Sequence, residues 1–416
     1  MDERKQYKQL QSVESKDMQG EKVVNSNVVT GKPALMKRIN RNLIIKLIIK
    51  QGEISRSQLA KMTGLALPSV MRIVDSLVEE GLVEETRKGD STGGRKPNLI
   101  RLNRDYKVIV GIEIAIQSSI VITDFGGAPL ARWSSGQMAY MTPEVMLEML
   151  LEQMQDMLSE RNIEPEQVAG IGIGTPGMNF KYQNEVKRSI LKGWEQIDVK
   201  SWFASRTPYS IVVDNVARTR TLSEQWFGLG REYKSFLYIF VDQGVGVGIM
   251  NNGVIYEGAM GAAGEFGHMS IDINGRPCYC GKKGCIEMYV SAGALTNEAD
   301  QLGICAGASE AISFEAIIKR ENEPEVRDIF VRGGQVLAFG IANLINLYNP
   351  PVVILGGIVP KLSKALVEEV NLALESFIFH NDACKTPVLL SSLDNEQFCL
   401  GSIALVIDDC FKTVEL

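Results

Sequence analysis

Residues 264–291 read GEFGHMSIDINGRPCYCGKKGCIEMYVS, and gather three of the chain's seven cysteines and one of its two histidines. His268, Cys278, Cys280 and Cys285 offer one imidazole nitrogen and three sulfurs. That borderline-soft donor set suits zinc, which favours tetrahedral nitrogen and sulfur coordination. Four protein donors leave no position open for water, so the expected metal is structural and not hydrolytic. The alternative is a set of buried cysteines acting as small hydrophobes. The Gly, Pro, Lys and Arg of GRPCYCGKKGC make a poor apolar core and argue against it. Gly281 and Gly284 would let the loop fold tightly between ligands.

Two carboxylates flank this cluster, Glu265 and Glu287. A carboxylate only accepts hydrogen bonds, so a pair can grip adjacent hydroxyls and reject a molecule that lacks one. Glu287 follows Cys285 by two residues, and a metal there would hold it within a narrow range. Plain solvent exposure of both glutamates is the competing reading, and the adjoining cysteine loop makes it the weaker one.

A second kind of chemistry lies near the N-terminus. Residues 32–103 carry fourteen Lys and Arg against seven Asp and Glu, although the whole chain has a net charge of -6. A basic module on an acidic body points to a polyanion partner for the module alone. Charge by itself would also fit a solvated basic face. The pattern of elements decides. Leu35, Ile39, Leu43, Ile44, Leu47 and Ile48 recur at helical spacing up to Gly52. Ser55 and Gln58 form a capping-box pattern for a short helix that Gly64 stops. Pro68 opens another, with Val70, Ile73, Val74 and Leu77 on one face and Gly81 beyond it. Two short strands then flank the tip STGGRKP. Three helices and a basic hairpin predict a winged helix-turn-helix that binds double-stranded DNA. Ser57, Ser69, Met71 and Arg72 are the expected base-edge readers, and Arg95 and Lys96 the wing's contacts to phosphate or minor groove. A purely structural helical cap would explain the helices but not that tip.

The elements that must position the cysteine loop follow from residue 104. KVIVGIEIAIQSSIVITDFGGAPLARW (107–133) reads as a three-stranded meander, and SFLYIFVDQGVGVGIMNNGVIYEG (235–258) repeats the plan. Each is followed by helices and a buried strand ending in a Gly-rich loop, at 168–177 and 351–360. Two similar α/β lobes fit a duplicated, actin-like (ribonuclease H-like) body with a cleft between them. We expect a mobile tail at 1–30, the DNA-binding domain at 31–103, a first lobe at 104–230 and a second at 231–416. The last helix is expected to pack back on the first lobe. The methionines of 142–160 read as core packing. Hydrophobic content of 45% and charged content of 23% are ordinary for a globular protein. The apolar run 43–50 is broken by Lys46, and seven unevenly spaced cysteines do not resemble a secreted disulfide framework. A cytoplasmic protein with no membrane partner is the expectation.

GEFGH followed by CYCGKKGCIE, with GIGTPG at 172–177 and NLYNPPVVILGG at 346–357, resembles the ROK family of repressors and sugar kinases over about residues 35–410. The helix-turn-helix ending in STGGRKP is similar to the layout of that family's transcriptional repressors. The resemblance implies a zinc loop beside a sugar site in which Glu265, His268 and Glu287 contact sugar hydroxyls. It adds Asp214 and Asn215 as sugar contacts, with the GTPG loop and Lys192–Trp194 lining the cleft. It also implies a homodimer or higher oligomer, and a sugar inducer that releases operator DNA. Family kinases carry Asp-x-Gly-Gly-Thr in their first phosphate loop; here Glu113 is followed by Ala115, Ile116 and Gln117. Their catalytic base is an aspartate, and Asn215 occupies that place. The expectation is therefore a regulator without catalysis. A sugar kinase with an appended DNA module is the alternative, and a regulator answering to a protein partner is a third reading.

Overall fold

The computed structural model describes residues 33–88, 98–136, 141–179, 186–187, 191, 193–194, 197–304, 314–379, 385–393 and 399–410. Helix α1 (Pro33–Gln51) ends at Gly52, whose φ of 74° lies in the left-handed region. It buries Ile44, Ile45 and Ile48, whereas Leu43 is 41% exposed. The spacing had put Leu43 inside and passed over Ile45. In an unbroken apolar run such as LIIKLII, packing partners choose which stripe turns inward.

Strand β1 (Ile54–Ser55) leads into α2 (Arg56–Thr63), capped by the reciprocal Ser55–Gln58 pair and closed by Gly64. Helix α3 (Leu67–Glu79) has Pro68 in its first turn and buries Val70, Val74 and Leu77. Strands β2 (Val83–Lys88) and β3 (Asn98–Leu102) pair antiparallel, Val83 opposite Leu102. The unexpected β1 adds a third strand through Ile54 opposite Ile100. Arg56 reaches Asp75 of α3 at 2.7 Å and Glu85 of β2 at 2.6 Å, tying the hairpin to the second helix of the pair.

The first lobe contains β4 (Val108–Glu113), β5 (Ser119–Thr123), β6 (Pro129–Ser134), α4 (Pro143–Ser159), β7 (Val168–Thr175), the small ladder of β8 (Met178–Asn179) with β9 (Val186–Lys187), α5 (Val199–Ala204) and β10 (Ile211–Asn215). Helix α6 (Val216–Phe227) then crosses to the second lobe. There β11 (Phe236–Val241), β12 (Val245–Asn251) and β13 (Val254–Ile255) form the second meander. Helices α7 (Glu287–Val290), α8 (Ala292–Gln301), α9 (Phe314–Ile318) and α10 (Pro324–Tyr348) follow, then β14 (Val353–Gly356), α11 (Ile358–Leu362), α12 (Lys364–Ala373) and β15 (Val388–Leu390).

The sheet orders are β10-β7-β4-β5-β6 and β13-β12-β11-β14-β15. In each lobe the first strand is central, the second and third run antiparallel on one side, and the fourth and fifth run parallel on the other. The sequence echo is thus an identity of topology. Met146, Met154 and Met157 of α4 lie in the first lobe's core. By length and composition α10 could cross a membrane, but Phe330, Leu337, Ile341 and Ile345 form the second lobe's core.

Helix α13 (Leu400–Cys410) packs against the first lobe. Its Ile403, Val406 and Ile407 share one apolar cluster with Ile109, Val121 and the α1 residues Ile45 and Ile48. A Cβ on Gly401 would stand 1.8 Å from the carbonyl oxygen of Thr219, so α13 and α6 touch at backbone distance. Lys46 of α1 pairs with Asp408 of α13 at 3.2 Å. The DNA-binding module therefore rests on the helix that closes the body.

Candidate functional site

The cysteine loop follows β13, passes through a helical turn at Phe266–His268 and ends at α7. The ligand atoms of His268, Cys278, Cys280 and Cys285 all lie within 4.8 Å of one another. His268 Nδ1 is 3.6 Å from Cys278 Sγ, and Cys280 Sγ is 3.6 Å from Cys285 Sγ. A tetrahedral ion with bonds of about 2.0–2.3 Å needs donors roughly 3.3–3.8 Å apart, a range both 3.6 Å pairs meet, so the cluster could hold one metal ion. Gly284, at φ 72°, makes the loop possible: a Cβ there would sit 1.8 Å from the Asp272 carbonyl oxygen. Arg276 braces the loop from behind, donating to the Met288 carbonyl at 3.0 Å and to Glu298 of α8 at 2.6 Å.

Both glutamates lie beside this cluster. Glu287 opens α7 and is 4% exposed, and its Oε2 accepts the Val245 N–H at 2.8 Å. Glu265 is half-buried and makes no side-chain hydrogen bond among the described residues. Burial and the Glu287 carboxylate push its pKa up, and Arg218 opposes them. With Nδ1 toward the thiols, His268 turns Nε2 the other way, where the Tyr279 hydroxyl lies 3.3 Å off.

Asp214 and Asn215 end β10. Asp214 is held by Arg218, whose guanidinium also donates to the Gly261 carbonyl at 2.7 Å. Arg218 thereby joins β10 to the segment that carries Glu265. The sequence reading missed it, although its position four residues after Asp214 was a legible helix-pair signal. Asn215 caps α6: its Oδ1 accepts the Ala217 N–H at 2.8 Å, and its Nδ2 donates to the Gly177 carbonyl of the GTPG loop at 2.6 Å. Trp194, expected along the cleft, is instead fully buried in the first lobe's core, where its large apolar ring is worth most. Lys192 lies outside the described residues.

A second charged group joins the tips of the two central strands. Arg220 of α6 donates to Glu113 at 2.6 and 3.3 Å and to Asp242, which follows β11. Glu113 and Arg220 are 5% and 8% exposed. Burial works against the Arg220 charge, and Glu113 and Asp242 outweigh it, holding the guanidinium well above its ordinary pKa. Asp242 also accepts the Ile358 N–H, and its carbonyl takes the Ala292 N–H at 2.8 Å. No local pattern announces this triad, since Arg220 stands 107 residues from Glu113.

On the DNA-binding module, Ser57, Met71 and Arg72 are exposed and Ser69 is half-buried. Arg95 and Lys96 lie outside the described residues. An open groove of about 1630 Å³ is lined by Lys46, Lys50 and Asp408 at the seam between module and body, and by Asp214 and Arg218.

Residues 132–409 match the ROK family, and residues 38–84 a winged helix-turn-helix DNA-binding domain. The xylose repressor of Caldicellulosiruptor bescii is 28% identical over 396 residues, covering 92% of this chain and 99% of that one. A solved structure described as a ROK family transcriptional regulator, homologue of the E. coli MLC protein, superposes with a TM-score of 0.77 at 23% identity, over 90% of this chain and 96% of that one. A ROK family glucokinase from Streptomyces griseus, solved with glucose and AMPPNP, superposes with a TM-score of 0.63 at 22% identity, over 71% of this chain and 97% of that one. The fold is thus common to regulators and kinases, and a DNA-binding module preceding a body matched over residues 132–409 shows that this chain belongs to the ROK family.

Proposed function

We propose that this protein is a sugar-responsive DNA-binding transcriptional regulator, a repressor of carbohydrate-use genes that a sugar inducer releases from its operator. The observation that carries the reading is the convergence of Glu265, Glu287 and His268 beside a metal-competent loop, in a body on which a winged helix-turn-helix is docked. Zinc is the metal its donor chemistry favours; when bound, it would fix the loop that carries His268 and Glu287. Asp214 and Asn215 complete the proposed sugar contacts from the opposite wall. Ser57, Ser69, Met71 and Arg72 are the proposed base readers, with Arg95 and Lys96 on the wing. Two modules acting as a homodimer would read a palindromic operator with half-sites a whole number of helical turns apart.

Two observations favour regulation over phosphoryl transfer. Glu113, Arg220 and Asp242 fill the strand tips with a closed ion triad where a kinase's phosphate loops would need backbone N–H groups facing anions. At the proposed base position, Asn215 has an amide committed to capping α6, and an amide cannot take a hydroxyl proton.

The test is fluorescence anisotropy on operator DNA titrated with D-xylose first, the sugar named for one relative, and then with other pentoses and hexoses. The wild type should release DNA on sugar. Glu287→Gln should bind DNA equally well and lose about ten-fold or more in sugar response, since one acceptor is gone from a buried grip. Equal sugar sensitivity in the variant sinks the role of Glu287. ATP-dependent phosphorylation of the same sugars would restore the kinase reading.

A further inference from the structure

Tyr279 stands between two of the metal-cluster cysteines, and its phenol is placed where a ligand hydroxyl is expected. Its hydroxyl lies 3.3 Å from His268 Nε2, the ring nitrogen turned away from the thiols. The phenol packs edge-on against the imidazole, with centroids 5.3 Å apart and planes at 79°. The Glu287 side chain hydrogen-bonds the same hydroxyl, and Glu265 lies near it. A phenol can donate a hydrogen bond, and the grip is made of acceptors that need one. The ring is nonetheless 51% exposed, so it is anchored at its hydroxyl end and open to solvent along its body. Cys278 and Cys280 on either side pin the backbone, which leaves rotation of the side chain as the way for the hydroxyl to leave.

We propose that Tyr279 is a gate: its hydroxyl stands in for a sugar hydroxyl between His268 and the two glutamates, and an inducer must displace it. This rests on the sugar reading above. The gate sets a threshold of affinity. Displacing the phenol costs each sugar the same, and one whose hydroxyls bond the grip too weakly to meet that cost does not open it. Displacement also frees a half-exposed aromatic ring to stack on the apolar face of the incoming sugar.

The experiment compares wild type, Tyr279→Phe and Tyr279→Ala as full-length proteins, each with metal content measured by atomic absorption to verify an intact loop. Calorimetric titration with D-xylose, D-glucose and N-acetyl-D-glucosamine gives the dissociation constants. Removing the competing hydroxyl should tighten binding of the sugar the wild type takes by roughly three- to ten-fold, the worth of one net hydrogen bond. Any other sugar that binds the same grip should tighten by a similar factor, since each is relieved of the same displacement. Equal or weaker binding by Tyr279→Phe, with wild-type binding intact, overturns the gate and leaves the sugar reading standing. No binding of any sugar by wild type or either variant overturns both.

Discussion

The two charged clusters of the cleft solve opposite problems. At the strand tips, Glu113 and Asp242 share Arg220, and every carboxylate there has a cation within hydrogen-bonding distance. Beside the cysteine loop, Glu265 and Glu287 face each other, and Arg218, the cation near them, is already bound to Asp214 and Gly261. Burying a charge is tolerable only when it is paired or hydrogen-bonded. The first cluster meets that condition from within and has nothing to offer a ligand. The second meets it in part, and a polyhydroxyl ligand bringing donors would complete it. The two are separated by the turn between β11 and β12, where Asp242 meets Arg220 and Val245 N–H meets Glu287. Glu287 and the triad thus hold the two ends of one turn.

The comparison breaks most visibly if the cysteine loop is dispensable. Cys280→Ser should lose zinc and destabilise the body by more than about 4 kcal/mol, as loss of a structural metal does. Atomic absorption and thermal unfolding read both effects, and an unchanged zinc content removes Cys280 from the ligand set. Next in size is the triad. Arg220→Met leaves the buried Glu113 and the half-buried Asp242 without their cation, and removing one partner of a buried pair costs about 3–5 kcal/mol. Chemical denaturation measures it. A variant as stable as wild type would mean that the triad is solvated and does not hold the strand tips together.

What the sequence revealed follows the range of each interaction. The Ser55–Gln58 cap, Pro68 in the first turn of α3 and the Cys-x-Cys-x4-Cys spacing are local signals, and the structure realises the first two as expected and draws the cysteines of the third together with His268. The repeated meanders became two sheets of one topology; the turns inside each meander are short and legible, whereas the crossovers that set the fourth strand beside the first are long and helical. The buried stripe of α1 was misjudged by one position because LIIKLII offers several equally apolar faces, and packing against α2, α3, β3 and α13 selects among them. The triad was invisible: Glu and Arg default to the surface, and the 107 residues between them carry no trace of the meeting. Tyr279 was overlooked because its neighbours were read as ligands and it was read as spacing.

The smallest expected effect separates the clusters most cleanly, because its sign differs between them. Glu265 has its pKa raised from 4.5 by burial and by Glu287. Below pH 4.5 the carboxyl is protonated both folded and unfolded and contributes nothing. As pH rises, the unfolded chain loses the proton first, so the folded state holds more protons and stability falls until the folded pKa is passed. Glu265→Gln removes that loss. The variant should melt at a higher temperature than wild type at pH 7.5, with a smaller gap at pH 5. Glu113→Gln should do the reverse at pH 7.5, because its carboxylate is the partner of a buried cation. If both substitutions destabilise, Glu265 is already paired in the free protein, and the grip is no more in need of a ligand than the triad is.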